Sequence, residues 1–245
     1  WKKGLEPLRK ALGVPAATRS RGRTTVAKSA QPRRMSGAVR GTRRPVYRIS
    51  LAAMGTESAR LKRVAAGLNR VQSMFGFSAT TVRTPRKAIR VERGDAQLHL
   101  QSIPQDFYGR LSTIGVDYVL CMTRKLLSFD EKGKTYFNYL SSPSPTVPNV
   151  WFISTHAAER YAREAGVSLD VAIASRIISQ IASHFLELDY HEETRDCPMD
   201  FTRSHDDLVG GLRSGRFCRE CSRKLAKHPD LESVVLAMER WGRAS

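Results

Sequence analysis

The sequence predicts an α/β fold in which a mixed sheet is covered by helices. Three observations carry this reading. Residues 46–82 run as an apolar segment, a helical apolar stripe and a second apolar segment, which is the pattern of a β-α-β unit. Residues 116–122 (VDYVLCM) are short and almost continuously apolar, as a strand buried on both faces must be. Two later stretches, from Thr155 and from Ser168, open with a capping residue and continue with helical apolar spacing.

The elements follow in order. Val46, Ile49 and Leu51 mark a first strand, which Gly55 and Thr56 interrupt. Thr56 then stands as the N-cap of a helix. Leu61, Val64, Ala65, Leu68, Val71 and Phe75 form its stripe, and Gly76 closes it. Residues 77–82 read as the second strand. Residues 84–101 are charged and hold at most one short strand, and Pro104 opens a short helix through Leu111. The strand at 116–122 contains Cys121, a small core residue in this setting. Lys132-Gly133 marks a turn, residues 135–140 (TYFNYL) a strand, residues 141–148 a proline-rich loop and residues 150–153 another strand. A helix capped by Thr155 ends near Gly166. The next, capped by Ser168 with Asp170 in its first turn, runs to about Leu188. Its apolar residues occupy more than one face, so it is placed centrally. A loop with His191, Cys197 and Asp200 follows. Asp206-Asp207 reads as a helix cap, and a last helix over 229–241 is capped by Asp230 with Leu231, Val234, Val235, Met238 and Trp241 as its stripe.

The 245 residues suffice for a sizeable core. The net charge of +18 is unevenly spread: residues 1–48 hold fourteen Lys/Arg and one acid, Glu6, which leaves +5 for the rest. Residues 1–44 therefore read as a basic, disordered tail, and residues 45–245 as the folded domain. The tail suits weak contact with nucleic-acid phosphates, although no aromatic residues interleave with its cations to stack on bases. A transit peptide is a secondary reading of residues 1–34. The chain begins at Trp1, and Met35 and Met54 are alternative starts. No window approaches 18 apolar residues, so no membrane helix is expected. Four cysteines do not make a disulfide scaffold, and their clustering points to metal in a reducing, cytoplasmic setting.

Cys218-Arg219-Glu220-Cys221 forms a CxxC, and Cys197 lies upstream. Two thiolates from one tight turn and a third from a separate loop match tetrahedral zinc. A closed structural site needs a fourth ligand. His191 is the first choice, six residues before Cys197; His205, Asp200 and Asp196 are weaker ones. A redox CxxC would open a helix after a strand in a thioredoxin-like pattern, which is not found.

The element order and the cysteine spacing resemble the archaemetzincins, zinc metallopeptidase-like proteins of the metzincin clan. Their motif is HExxHxxGxxxCxxxxCxM followed by a CxxC. Here Cys197-Pro198-Met199 matches the CxM and Cys218–Cys221 the CxxC, with an intervening stretch (200–217) one residue longer. The resemblance spans roughly residues 46–225. It implies a metzincin-like fold, one structural zinc and, on the long helix, a catalytic zinc held by two histidines with a glutamate base between them. The departures lie on that helix. In one register Gln180 replaces the first histidine, Ile181 the base, Glu187 the glycine, Tyr190 the third histidine and His191 the first cysteine, while His184 survives. Shifted by one, His191 matches the third histidine, and Ile181, Ala182 and Phe185 fill the helical positions. Neither register keeps two helical histidines or a base.

The expectation is thus a pseudoenzyme: Cys197, Cys218, Cys221 and His191 hold one Zn2+, the peptidase centre is lost, and the chain binds or regulates an unidentified protein or peptide. Two rival readings stand beside it. One is a hydrolase or peptidase with rearranged chemistry at His184 and Glu187, helped by Asp189, Glu192 and Glu193. The other is a nucleic-acid-binding protein acting through residues 1–44. Arg195-Asp196 reads as a local ion pair that orients the Cys197 loop.

Overall fold

A computed structural model describes residues 45–92, 94–141, 147–185, 188–193, 195–200 and 205–244. Eight strands and seven α-helices lie among them. The strands are β1 (Tyr47–Met54), β2 (Phe75–Thr81), β3 (Ile89–Glu92), β4 (Asp95–His99), β5 (Tyr118–Thr123), β6 (Leu126–Glu131), β7 (Lys134–Asn138) and β8 (Val150–Ser154). The helices are α1 (Ser58–Val71), α2 (Gln105–Ser112), α3 (Ala158–Ala165), α4 (Leu169–Phe185), α5 (His205–Ser214), α6 (Arg219–Leu225) and α7 (Pro229–Ala244). The tail at 1–44 expected from the sequence lies outside the described residues, as do the side chains of Asp230 and Trp241.

The α/β expectation holds, with the strands divided between two sheets. One is parallel throughout, in the order β2-β1-β5-β8. The other, β3-β4-β6-β7, is mixed: two antiparallel hairpins joined by a parallel β4–β6 pair. The β1-α1-β2 unit forms as read, with Ile49 opposite Phe77.

Alternation along the parallel strands separates two cores. Ile49, Leu51, Ala53, Leu120, Met122, Trp151 and Ile153 face α1, α4 and α7. Ala52, Met54, Val119, Cys121, Val150 and Phe152 face α2 and the second sheet. Cys121 is a buried core thiol, and burial pushes its pKa up. The parallel sheet is therefore the middle layer, which explains its continuous apolar runs. Helix α4 is central, as its apolar faces predict: it packs against α1, α3 and α7, with Ile177 and Ala182 fully buried. Asp170 ties its first turn to α1 by accepting from Arg60 (2.8 Å) and Arg63 (3.2 Å).

Several local expectations are corrected. Thr56 does not cap α1; its hydroxyl donates to the Met122 carbonyl at the end of β5, and Glu57 occupies the cap position without a side-chain bond. Phe75 and Gly76 belong to β2, not to the helix. The helix ends at Val71, where the Gln72 amide bonds the Leu68 and Phe75 carbonyls and accepts from Phe75 N. Residues 84–101 hold two strands, and β6 adds one that the sequence reading omits. Thr155 does not cap α3; its hydroxyl donates to the Thr123 carbonyl, and Ala157 is the N-cap. Ser168 does cap α4, accepting from Val171 N at 3.3 Å.

Ile177 is fully buried between α4 and the core. Ile177→Ala is expected to cost about 2–5 kcal/mol. A lowered urea midpoint at unchanged slope checks this.

Candidate metal centre

Four side chains converge at the C-terminal side of the core. The liganding atoms of His191, Cys197, Cys218 and Cys221 all lie within 4.8 Å of one another. His191 Nε2 is 3.1 Å from both the Cys218 and the Cys221 sulfurs. His191, Cys197 and Cys221 are buried and Cys218 is partly so. These are the three cysteines and the histidine that the sequence singled out. Asp196 and Asp200, two of the weaker alternatives, are not in the group, and the side chain of His205, the third, lies outside the described residues.

Each ligand is placed by its element. Cys218 is the N-cap of α6, and its sulfur accepts from Cys221 N at 3.5 Å. One turn of helix therefore brings both CxxC sulfurs to the same side. Cys197 sits in the loop after α4. Its sulfur accepts from Met199 N (3.5 Å) and Cys218 N (3.3 Å), bonds that favour a thiolate. His191 joins the same loop through a parallel bridge with Asp200, its N–H donating to the Met199 carbonyl at 2.8 Å.

The loop itself is braced on three sides. Asp200 Oδ2 accepts from Arg195 N (2.8 Å) and Cys197 N (2.9 Å) and so holds the loop backbone. Ser179 on α4 donates to the Pro198 carbonyl at 2.8 Å. Arg195 reaches Glu220 on α6 at 2.7 Å, next to the CxxC. The expected Arg195–Asp196 pair is thus replaced by an ion pair that joins the two ligand-bearing segments. Sequence reasoning also missed Gly210 and Gly211 on α5. A Cβ at Gly211 would lie 3.1 Å from the Cys197 carbonyl oxygen, and one at Gly210 would collide with the Asp196 carboxylate. The adjacent glycine pair in an otherwise helical stretch was the available signal.

The donor set fits zinc. Three sulfurs and one imidazole are the ligands of a closed Cys3His site. Bonds of about 2.3 Å to sulfur and 2.0 Å to nitrogen separate tetrahedral ligand atoms by roughly 3.5–3.8 Å. The 3.1 Å contacts need widen by only a few tenths of an ångström. One imidazole nitrogen facing two sulfurs makes poor use of hydrogen bonding but suits an ion between them. The thiols share protons: the bond from Cys221, reinforced by the backbone N–H groups, pulls Cys197 down to about 5, and the same bond and burial push Cys221 up. The group could hold one zinc ion.

The long helix offers no second centre of this kind among the described residues. Gln180 and Ile181 are buried on α4. His184 is exposed and packs against aromatic rings, 4.6 Å from Trp151 and 5.5 Å from Tyr118 between centroids. Desolvation lowers its pKa. Glu187 lies outside the described residues. Asp206 and Asp207 do not occupy the cap position expected of them: they lie inside the first turn of α5, where acids favour the positive helix end.

No family model and no curated protein matches the sequence. Two solved structures are similar to this one. The chain's fold is similar to that of an archaemetzincin. That protein, from Methanopyrus kandleri, shares 16% identity at a TM-score of 0.47, covering 80% of this chain and 99% of its own. A zinc-dependent peptidase from Methanocorpusculum labreanum (strain Z) shares 16% identity at 0.45, covering 72% of this chain and 98% of its own.

Cys218→Ser removes one donor and is expected to destabilise the protein by about 3 kcal/mol or more, since metal binding is part of folding energy. A chelator should lower the thermal midpoint of the parent and of Cys121→Ser, and leave Cys218→Ser unmoved. Zinc affinity should fall as pH is lowered, because binding requires the proton held between Cys197 and Cys221 to leave.

Proposed function

We propose that this chain is a zinc-stabilised, archaemetzincin-like protein that has lost peptidase activity and acts as a binding or regulatory module. One observation carries the proposal: the long helix α4 buries Gln180 and Ile181 where the family motif places a zinc-binding histidine and the base. A catalytic zinc needs about three protein ligands and an open water position. With His184 alone, α4 supplies one. Without a glutamate at Ile181, nothing on that turn activates water. The Cys3His group, by contrast, is closed and braced, which suits a structural ion. No single helix among the described residues is long and apolar enough to cross a membrane.

A relocated hydrolytic site is the second reading. What favours it is His184 itself, exposed at the helix surface, with desolvation lowering its pKa and so favouring the neutral imidazole that can accept a proton. One assay separates the two. The zinc-loaded full chain should cleave neither unfolded protein nor a peptide library above background. Cleavage that a chelator stops and His184→Ala abolishes would overturn the pseudoenzyme reading.

A further inference from the structure

A cleft of about 190 Å³ opens beyond the C-terminal ends of β1, β5 and β8, away from the Cys3His group. Its wall includes Thr56 after β1, Arg124 after β5, and Thr155 and His156 after β8. Its position follows from topology. From β1 the chain crosses over α1 to β2 on one side, while β5 flanks β1 on the other. The connections leaving β1 and β5 part at this point of the order. In open parallel sheets such a switch point, at the carboxyl ends of the strands, is where ligands bind.

The charges of the wall are unequal in their commitments. Arg60 is engaged by Glu57 (3.1 Å) and Asp170 (2.8 Å). Arg124 is exposed and has no carboxylate partner among the described residues. Glu159 is exposed at the rim. A narrow cavity of about 10 Å³ adjoins the cleft and shares Thr155, His156, Ala158 and Ile173 with it. That is room for about one water-sized group. Arg176 of α4 lines this cavity. Its guanidinium lies 5.1 Å over the Tyr139 ring, and the Tyr139 and Tyr161 hydroxyls bond each other at 2.7 Å beside it. Arg176 is half-buried and, like Arg124, has no carboxylate partner among the described residues. A partly desolvated cation without a counter-charge leaves its guanidinium free to pair with an anion that enters from the cleft.

We propose that this cleft binds a small oxyanion-bearing ligand, a phosphate or a dicarboxylate, held between Arg124 at the mouth and Arg176 at the base. Planar guanidinium groups bind both oxyanions in paired hydrogen bonds. The Thr56 and Thr155 hydroxyls donate to strand carbonyls and so fix the walls.

Calorimetric titration of the full chain at physiological salt, with inorganic phosphate and separately with malonate, tests this. Saturable binding of either at one site per chain is expected, and the probe that binds identifies the ligand class. Arg124→Gln and Arg176→Gln should each weaken it by about tenfold or more, as loss of a charged hydrogen-bond partner does. Arg110→Gln, an exposed cation on α2, should leave it unchanged. Should Arg176→Gln fail to fold, Arg124→Gln decides, because its side chain is exposed. Three results overturn the proposal: no saturation with either probe, parental affinity in Arg124→Gln, or equal loss in Arg110→Gln, which would mark diffuse attraction to a basic chain.

Discussion

The C-terminal third of this protein depends on three sulfurs and an imidazole meeting at one point. His191 and Cys197 arrive on the loop that leaves α4, and Cys218 and Cys221 on the first turn of α6. Among the described residues these loops contribute few large apolar side chains of their own, so the ligand cluster takes the place of a local core. Cys197, Met199, Phe217 and Cys221 nevertheless join the main core beneath α4 and α7. The metal centre is thus continuous with the hydrophobic core.

The surrounding contacts make sense as supports for that meeting point. One carboxylate oxygen of Asp200 accepts from two loop N–H groups, which fixes the backbone at Cys197. Ser179 anchors the same loop to α4, and the Arg195–Glu220 pair spans the two ligand segments. Gly211 lets α5 approach the Cys197 carbonyl closely. Such neighbours orient ligands as effectively as the ligands hold the ion. The same helix α4 therefore has two distinct ends: its N-terminal half borders the cleft with Arg176, and its C-terminal half leads into the metal loop.

Much of this was legible in the residues. The parallel strands β5 and β8 are buried on both faces, and their nearly unbroken apolar runs announce it. The CxxC, Cys197 and His191 were readable because a closed zinc site limits which residue types and spacings serve. The failures share one cause, a tertiary partner that local pattern cannot reveal. Thr56 and Thr155 look like caps, but each finds a carbonyl at the end of β5. Phe75 continues a helical stripe from Val71, yet it stacks on Tyr47 as a strand residue. Strand β3 is an edge with mostly exposed side chains, so its periodicity is weak. Arg195 was assigned to its sequence neighbour, whereas the fold brings Glu220 to it.

The most direct test of the account is the coordination of metal in the purified full-length chain. X-ray absorption at the zinc edge, with metal analysis on the same sample, should show one zinc per chain bound by three sulfurs and one nitrogen. A folded protein without zinc, or zinc held by oxygen and nitrogen in place of the three sulfurs, would contradict it.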